Sequence, residues 1–260
     1  MQNSVKTVFF DLDGTIIAKH PLDTALKEAY ESISKQTGHS VNYVKKCVST
    51  IQEGIGDNYT GWDWDKVVSD VAKRLGADIE VNLIRSMSRH LHAPYLKMYP
   101  NAKETIIRLH EEGYNLNIAT HGFLCYQGPI LRKLGLLQYF NSVITLDKVK
   151  KTKTHAAFFG SYKGNRARAV MVGDSYHFDI VGPKRLGFKA IWAVFWMKRA
   201  YVSKLKLLDP TKRANDVTGL SKHDDYNNGL ERAYKDNVSI KPDAVILGLD
   251  ELPPLIKKLI

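Results

Sequence analysis

Short runs of apolar residues, each followed by polar residues or glycine, recur in the first and last parts of the chain. These runs show no alternation of apolar with polar positions. A half-exposed strand alternates, whereas a strand of a parallel sheet that is covered on both faces does not. The pattern therefore predicts six buried strands, at 5–10, 116–119, 142–145, 169–172, 190–194 and 244–247.

Helical patterns fill intervals between these predicted strands. Segments 102–112, 128–134 and 179–186 carry apolar residues at helical spacing, and a glycine follows each of them directly. A glycine just beyond the last helical residue is typical of a helix C-terminus, because glycine adopts positive φ without steric cost. Strands that alternate with helices predict an α/β fold with a doubly wound, mostly parallel, Rossmann-like sheet.

Residues 18–97 depart from this alternation. Four helical patterns occupy 23–36, 41–53, 63–75 and 80–91, with no convincing strand among them. We therefore predict an all-α cap domain, 18–97, inserted into an α/β catalytic core formed by 1–17 and 98–260. The loop at 54–64, in the middle of the cap, is rich in glycine and aromatic residues. A second irregular stretch, 198–241, is basic and separates the last two predicted strands.

Composition limits the kind of protein. Of the 260 residues, 44% are hydrophobic and 25% are charged, as in ordinary globular proteins. The longest fully apolar run, 190–197, is far shorter than the ~20 residues of a membrane-spanning helix. The first residues lack the apolar stretch of a signal peptide, and Cys47 and Cys125 predict neither a disulfide framework nor a zinc site. We expect a cytoplasmic protein without a membrane segment.

The formal net charge of +11 is compatible with nucleic acid, anionic lipid or a small anionic substrate. The basic residues are spread along the chain instead of being concentrated in one arm, so nucleic-acid binding is the less favoured interpretation. Two hypotheses of different class follow. One is an enzyme that acts on a small phosphorylated metabolite, and the other is a non-catalytic basic module that binds nucleic acid or protein.

Acidic residues follow two predicted strands at the end where a parallel sheet binds ligands. Asp11 and Asp13 come after the first strand, and Asp174 and Asp179 come after the strand at 169–172. Four carboxylates in one crevice repel one another unless a cation lies between them, and oxygen ligands of this kind suit Mg²⁺. A calcium loop of the EF-hand type is excluded, because the glycine is the fourth residue of the loop instead of the sixth.

Other polar residues at the predicted strand ends suit an anion. Thr120 offers a hydroxyl, and the backbone N–H groups of His121 and Gly122 offer further donors. Lys153 offers a compensating positive charge. Each feature is common by itself, since Asp-Gly pairs form turns and a lysine among lysines is usually exposed. Their joint occurrence predicts phosphoryl transfer, and clustered acids favour the enzyme over a module that binds an anionic partner.

This ordered set of residues resembles the motifs of the haloacid dehalogenase (HAD) superfamily. The resemblance is to its phosphatases that have a helical cap inserted after the first motif. Residues 9–15, Phe-Phe-Asp-Leu-Asp-Gly-Thr, are similar to the first motif, 118–122 to the second and 173–180 to the fourth. The resemblance extends over 1–17 and 98–195.

The third motif departs from the usual pattern of the superfamily. Lys153 is followed by Thr154, at a position where the family often has proline. Lys150 and Lys151 therefore remain alternatives for the lysine that serves the site.

The resemblance implies a mechanism for these residues. Asp11 would be the nucleophile that forms an aspartyl-phosphate, and Asp13 would be the general acid and base. The residues implied to bind the phosphoryl group are Thr120, His121, Gly122 and Lys153. The implied ligands of Mg²⁺ are Asp11, Asp13 through its backbone carbonyl, Asp174 and Asp179.

The acid at position 13 also bears on the kind of reaction. The dehalogenases of the superfamily lack it, because a halide leaves without a proton, so Asp13 implies an oxygen leaving group. We expect an Mg²⁺-dependent phosphatase for a small phosphate monoester, with a HAD-type sugar-phosphate mutase as the alternative. The cap residues expected to contact the leaving group are Trp62, Trp64 and basic residues such as Lys45, Arg85 or Arg89. The alternative for the two tryptophans is a place in the interior of the cap.

Overall fold

Six parallel strands form the centre of the computed structural model, which describes residues 6–55, 59–195, 202–203, 205–214 and 240–260. The strands are β1 Thr7–Phe10, β4 Asn115–Thr120, β5 Ser142–Thr145, β6 Ala169–Gly173, β7 Lys189–Ala193 and β8 Ala244–Ile246. Two short strands, β2 Ile17–Lys19 and β3 Lys97–Met98, pair with each other outside this sheet. The spatial order is β5-β4-β1-β6-β7-β8, so the predicted doubly wound parallel sheet is confirmed.

Strand β1 occupies the point where the strand order reverses. Phe10 lies in register with Ile118 of β4 on one side and with Val172 of β6 on the other. Phe9 points to the opposite face of the sheet, where it meets the ring of Phe159 with centroids 5.3 Å apart. Both faces of β1 are therefore covered, which explains its unbroken apolar sequence. Ligands of open α/β sheets bind at such a reversal, beyond the carboxyl ends of the strands.

Four helices follow β2: α1 Pro21–Thr37, α2 Val41–Ile55, α3 Trp64–Arg74 and α4 Leu83–Ser88. We call these helices, together with the 3₁₀ segment Tyr59–Trp62 between α2 and α3, the helical module. Helix α1 begins with a proline, and the His20 ring caps it by accepting a hydrogen bond from the N–H of Leu22. It ends at Gly38, whose φ of 75° reverses the chain direction.

The fourth helix of the module is shorter than the predicted segment 80–91. The Asn82 side chain accepts a hydrogen bond from the N–H of Arg85 at 2.9 Å and so caps the start of α4. Residues before Asn82 therefore lie outside the helix, although their apolar spacing continues the helical pattern.

Strands β2 and β3 form an antiparallel ribbon at the two ends of the predicted cap. Ile17 lies opposite Met98, and Lys19 lies opposite Lys97. The prediction that 18–97 contains no strand is wrong at these two ends. Segments of three and two residues are too short to show a hydrophobic period, so the pattern missed them.

The α/β core carries further helices: α5 Ala102–Glu111, α6 Leu124–Lys133, α7 Leu146–Val149, α8 Gly182–Arg185, α9 Pro210–Arg213 and α10 Leu252–Leu259. Short 3₁₀ segments of the core are Leu137–Tyr139, Ala156–Phe159, Arg166–Arg168 and Leu249–Glu251. A π-helical turn, Tyr176–Val181, precedes α8. The three predicted helix-ending glycines, Gly113, Gly135 and Gly187, all have positive φ, which confirms that prediction. No helix within the described ranges is both long and apolar enough to span a membrane.

Two predicted segments have different limits in the structure. The helix predicted at 128–134 begins at Leu124 and keeps Pro129 inside it, where a proline usually marks a first turn. The helix predicted at 179–186 is divided between the π-helical turn and α8. Most of the predicted insertion at 198–241 lies outside the described residues.

Candidate functional site

A cavity of about 370 Å³ opens at the carboxyl ends of the central strands. Seven of the eight predicted site residues line it: Asp11, Asp13, Thr120, His121, Gly122, Lys153 and Asp179. The eighth, Asp174, does not line this cavity, but its carboxylate belongs to the same acidic cluster as those of Asp11 and Asp179. These residues lie close together because of the sheet topology. Strands β4, β1 and β6 are neighbours, and Thr120, Asp11 and Asp174 are at their carboxyl ends.

The acidic cluster is tightly packed. One oxygen from each of Asp11, Asp174 and Asp179 lies within 4.8 Å of the others, and all three side chains are buried. Glycines make this packing possible. A Cβ on Gly14, which has a φ of +77°, would lie 2.2 Å from Asp174 Oδ2, and one on Gly173 would lie equally close to Asp179. Any side chain at either position would displace a carboxylate of the cluster.

Lys153 is the lysine that reaches the cluster. Its Nζ donates hydrogen bonds to Asp11 Oδ1 at 2.6 Å and to Asp179 Oδ1 at 2.7 Å, and only 2% of its side chain is exposed. Lys150 instead lies 5.7 Å from the ring centroid of Tyr59, and Lys151 is exposed. Of the three lysines that the sequence left open, the structure brings Lys153 to the carboxylates.

The charges of the cluster do not balance. One ammonium stands against the carboxylates of Asp11, Asp174 and Asp179, which leaves a formal excess of two negative charges. Burial and the neighbouring carboxylates raise the pKa of Asp11 well above its usual range, and Lys153 only partly opposes this. Burial would lower the pKa of Lys153, but its two ion pairs outweigh that effect and raise it. A buried set of oxygen ligands with this charge fits a divalent cation.

The loop after β4 is held by side-chain contacts. The N–H of Gly122 donates to Thr120 Oγ1 at 3.0 Å, so this predicted anion donor is engaged within its own loop. His121 Nε2 accepts a hydrogen bond from the backbone N–H of Lys153 at 3.1 Å. Burial, with the charges of Lys153 and His177, lowers the pKa of His121 well below its usual range. The neutral His121 ring thus joins this loop to the segment that carries Lys153, whereas the sequence predicted only a backbone donor at this position.

The helical module supplies the outer wall of the cavity. Trp62 and Trp64 line it, and the Trp62 ring meets the edge of His121 with centroids 5.1 Å apart. Basic side chains that we expected beside the tryptophans are placed elsewhere. Lys45, Arg85 and Arg89 do not line the cavity, and Arg89 donates to a carboxylate oxygen of Glu28 at 2.9 Å.

Two further candidates for the site lie on α6 and have no signature in the sequence. The Gln127 side chain donates to Asp13 Oδ2 at 2.6 Å, and the Tyr126 hydroxyl donates to Asp65 Oδ2 of the helical module at 2.7 Å. Nothing in a single sequence marks a glutamine or a tyrosine in a helix as part of a site. Both contacts join residues more than 60 positions apart, so only the fold reveals them.

The fold and the site together define a hydrolase with a Rossmann-like parallel sheet, which carries buried carboxylates and a lysine at the carboxyl ends of its central strands. The chain belongs to the haloacid dehalogenase-like hydrolases, whose family profile matches residues 8–193. The resemblance recognised from the sequence motifs is thereby confirmed, as is the expectation of a hydrolase.

Individual relatives are of moderate similarity. A glyceraldehyde 3-phosphate phosphatase of Pyrococcus furiosus is 28% identical over 199 residues, 72% of this chain and 80% of its own. A pyrophosphatase PpaX of Halalkalibacterium halodurans is 28% identical over 193 residues, 71% of this chain and 81% of its own. The crystal structure of a HAD phosphatase from Thermococcus onnurineus has a TM-score of 0.68 at 27% identity, covering 96% of this chain and 97% of that one.

Proposed function

We propose that the protein is an Mg²⁺-dependent phosphatase that hydrolyses a small phosphate monoester through an aspartyl-phosphate. The observation that carries this proposal is the contact of the buried Lys153 ammonium with Asp11 at the floor of a cavity. A nucleophilic carboxylate and a fixed cation side by side suit attack on a phosphoryl group, whose oxygens are negatively charged.

Mg²⁺ would be held by the carboxylates of Asp11, Asp174 and Asp179, with the backbone carbonyl of Asp13 as a further oxygen ligand. When bound, this ion supplies the positive charge that the three carboxylates lack, and it keeps Asp11 ionised next to the phosphate ester. The burial of the cluster supports this assignment, since an uncompensated excess of negative charge is costly away from water.

The protein residues then share the work of two half-reactions. Asp11 attacks phosphorus, so that a bond forms between its carboxylate oxygen and phosphorus while the bond to the leaving oxygen breaks. Asp13 donates a proton to that leaving oxygen. Asp13 next accepts a proton from water, which attacks the aspartyl-phosphate and releases inorganic phosphate and free Asp11. Thr120 and Lys153 hold the phosphoryl oxygens in both steps.

The leaving group would occupy the space between the acidic cluster and the helical module. A volume of about 370 Å³ suits a small metabolite, and the substrates in the names of the two relatives, glyceraldehyde 3-phosphate and pyrophosphate, are also small. The module, which we propose to be the separate cap domain predicted at 18–97, covers the site and limits the access of water.

The test is phosphate release from 4-nitrophenyl phosphate and from a panel of metabolite phosphates, with Mg²⁺ and with EDTA. We expect Mg²⁺-dependent release that Asp11→Asn abolishes. The matched control is Asp70→Asn, which removes a carboxylate from an ion pair with Lys66 outside the cavity and keeps full activity. Activity that survives EDTA or Asp11→Asn contradicts the proposal. Phosphate transferred between sugars without release to water identifies the mutase alternative instead.

A further inference from the structure

A chain of hydrogen bonds connects Asp13 to the first helix of the helical module. Gln127 Nε2 lies 2.6 Å from Asp13 Oδ2, and Gln127 Oε1 lies 3.2 Å from His20 Nε2. His20 Nδ1 lies 3.0 Å from the backbone nitrogen of Leu22, in the first turn of α1. The acid of the proposed mechanism is thus joined to the module through one residue of the α/β core.

The donor and acceptor groups allow these three hydrogen bonds to run in one direction only. The N–H of Leu22 can only donate, so His20 Nδ1 is the acceptor and carries no proton. In the neutral ring the proton is then on Nε2, which donates to the carbonyl oxygen of the Gln127 amide. The amide nitrogen of Gln127 is left facing Asp13 Oδ2, and it can only donate. His20 therefore determines which end of the Gln127 amide faces the carboxyl group of Asp13.

The Gln127 amide is buried and closely packed against the loop after β4. Gln127 is 2% exposed, and a Cβ on Gly122 would lie 1.9 Å from Gln127 Nε2. Any side chain at position 122 would displace the amide from Asp13. Asp13 Oδ1 lies 3.5 Å from His20 Nε2 and has no hydrogen-bond partner among the described residues. The two oxygens of the Asp13 carboxyl group therefore have different surroundings, and only Oδ2 receives the bond from Gln127.

We infer that Gln127 is a positioning residue for Asp13, and that His20 holds the Gln127 amide in the orientation this task needs. The inference rests on the proposed function, in which Asp13 delivers a proton to the leaving oxygen. Gln127 fixes the rotation of the Asp13 carboxyl group. The contact with His20 makes that rotation depend on the position of the N-terminus of α1.

The test compares two esters of nearly the same shape, phenyl phosphate and 4-nitrophenyl phosphate. Phenolate is strongly basic and leaves well only with a proton, whereas 4-nitrophenolate leaves with little help. The ratio of their kcat/KM values reports the proton donation in the first half-reaction. In Gln127→Leu, which keeps the volume but removes both hydrogen bonds, we expect kcat/KM for phenyl phosphate to fall about tenfold more than for 4-nitrophenyl phosphate. A loss of folded enzyme lowers both values equally.

Two further variants separate this role from docking of the module. In His20→Asn, the shorter side chain still caps α1 but no longer reaches Gln127, so the ratio shifts in the same direction by a smaller factor. Tyr126→Phe removes the neighbouring contact with Asp65 and lowers both kcat/KM values by the same factor. If an active Gln127→Leu or His20→Asn enzyme keeps the wild-type ratio of the two kcat/KM values, the inference is wrong and the proposed function stands. If the wild-type protein hydrolyses neither of the two esters, both the proposed function and the inference are contradicted.

Discussion

The Lys153 ammonium lies 2.6 Å from Asp11 Oδ1, with both side chains buried at the floor of the cavity. This contact makes one lysine the partner of the buried carboxylates and, in the proposed mechanism, also the cation that faces the phosphoryl group. The two roles lead to different measurable effects when the side chain is changed.

Lys153→Met should lower both activity and stability. Without the ammonium, the carboxylates of Asp11 and Asp179 are buried without their partner, so the free energy of unfolding should fall by about 3–5 kcal/mol. The lost phosphoryl contact should lower kcat by about 10²–10³-fold. Urea unfolding and phosphate release measure the two effects. Lys150→Met and Lys151→Met are the matched controls, and equal losses in them would contradict the placement of Lys153.

Mg²⁺ should stabilise the chain in proportion to its binding at the acidic cluster. An ion that binds the folded state alone raises the melting temperature with its concentration. We expect this rise in the wild type and a much higher Mg²⁺ concentration for the same rise in Asp174→Asn, because one ligand is lost. Thermal unfolding at several Mg²⁺ concentrations is the measurement, and it needs no substrate. The exposed Asp250→Asn should behave as the wild type, and a wild-type response in Asp174→Asn would exclude the cluster as the site.

Trp62→Ala should weaken substrate binding more than it slows the chemical step. Trp62 lines the cavity and packs against His121 and Phe178, with ring centroids 5.1 Å and 6.2 Å away. Loss of this wall should raise KM on the natural ester by up to about tenfold, since an aromatic contact contributes about 0.5–1.5 kcal/mol. Steady-state kinetics check this. Tyr43→Ala, a change to an exposed aromatic of the module, should leave kcat/KM unaltered. Wild-type kcat/KM in both Trp62→Ala and Trp64→Ala would show that the two tryptophans do not contribute to substrate binding.

The neutral state of His121 should make the protein sensitive to acid. Burial lowers the pKa of His121, so below about pH 6.5 the unfolded chain binds a proton that the folded chain does not. The free energy of unfolding should therefore fall as the pH drops, at no more than about 1.4 kcal/mol per pH unit from this residue. Denaturant unfolding between pH 7.5 and 5.5 measures the slope.

The control for this pH dependence is His121→Gln, which does not titrate but can still accept the hydrogen bond from the N–H of Lys153. Its slope should be shallower than that of the wild type by about 1 kcal/mol over the last pH unit. Equal slopes for the two proteins would show that His121 takes up its proton in the folded state as readily as in the unfolded state.

Local patterns in the sequence were enough for much of the architecture. Apolar runs that do not alternate with polar residues predicted β1 and the buried strands on either side of it, because a strand covered on both faces has no solvent-exposed positions. Gly113, Gly135 and Gly187 predicted helix ends, since the need for positive φ is a property of one residue and its neighbours. The carboxylates after β1 and β6 predicted an acidic site, because parallel strands bring their ends to one edge.

Other features depend on contacts between distant parts of the chain. The choice among Lys150, Lys151 and Lys153 is a question of direction, and adjacent residues in a loop point in different directions once the loop is packed. Gln127 reaches Asp13 across 114 positions, and Tyr126 reaches Asp65 across 61. No local pattern encodes such pairs.

The sequence by itself determined the family, the positions of the six core strands along the chain, and the types of group that the site contains. These follow from hydrophobic period, turn chemistry and motif spacing, all of which act over a few residues. The tertiary structure decided which lysine meets Asp11, how the Asp13 carboxyl group is held and which side chains of the helical module form the cavity wall. Those outcomes depend on close packing and burial, which set distances and charges only after separate segments have come together.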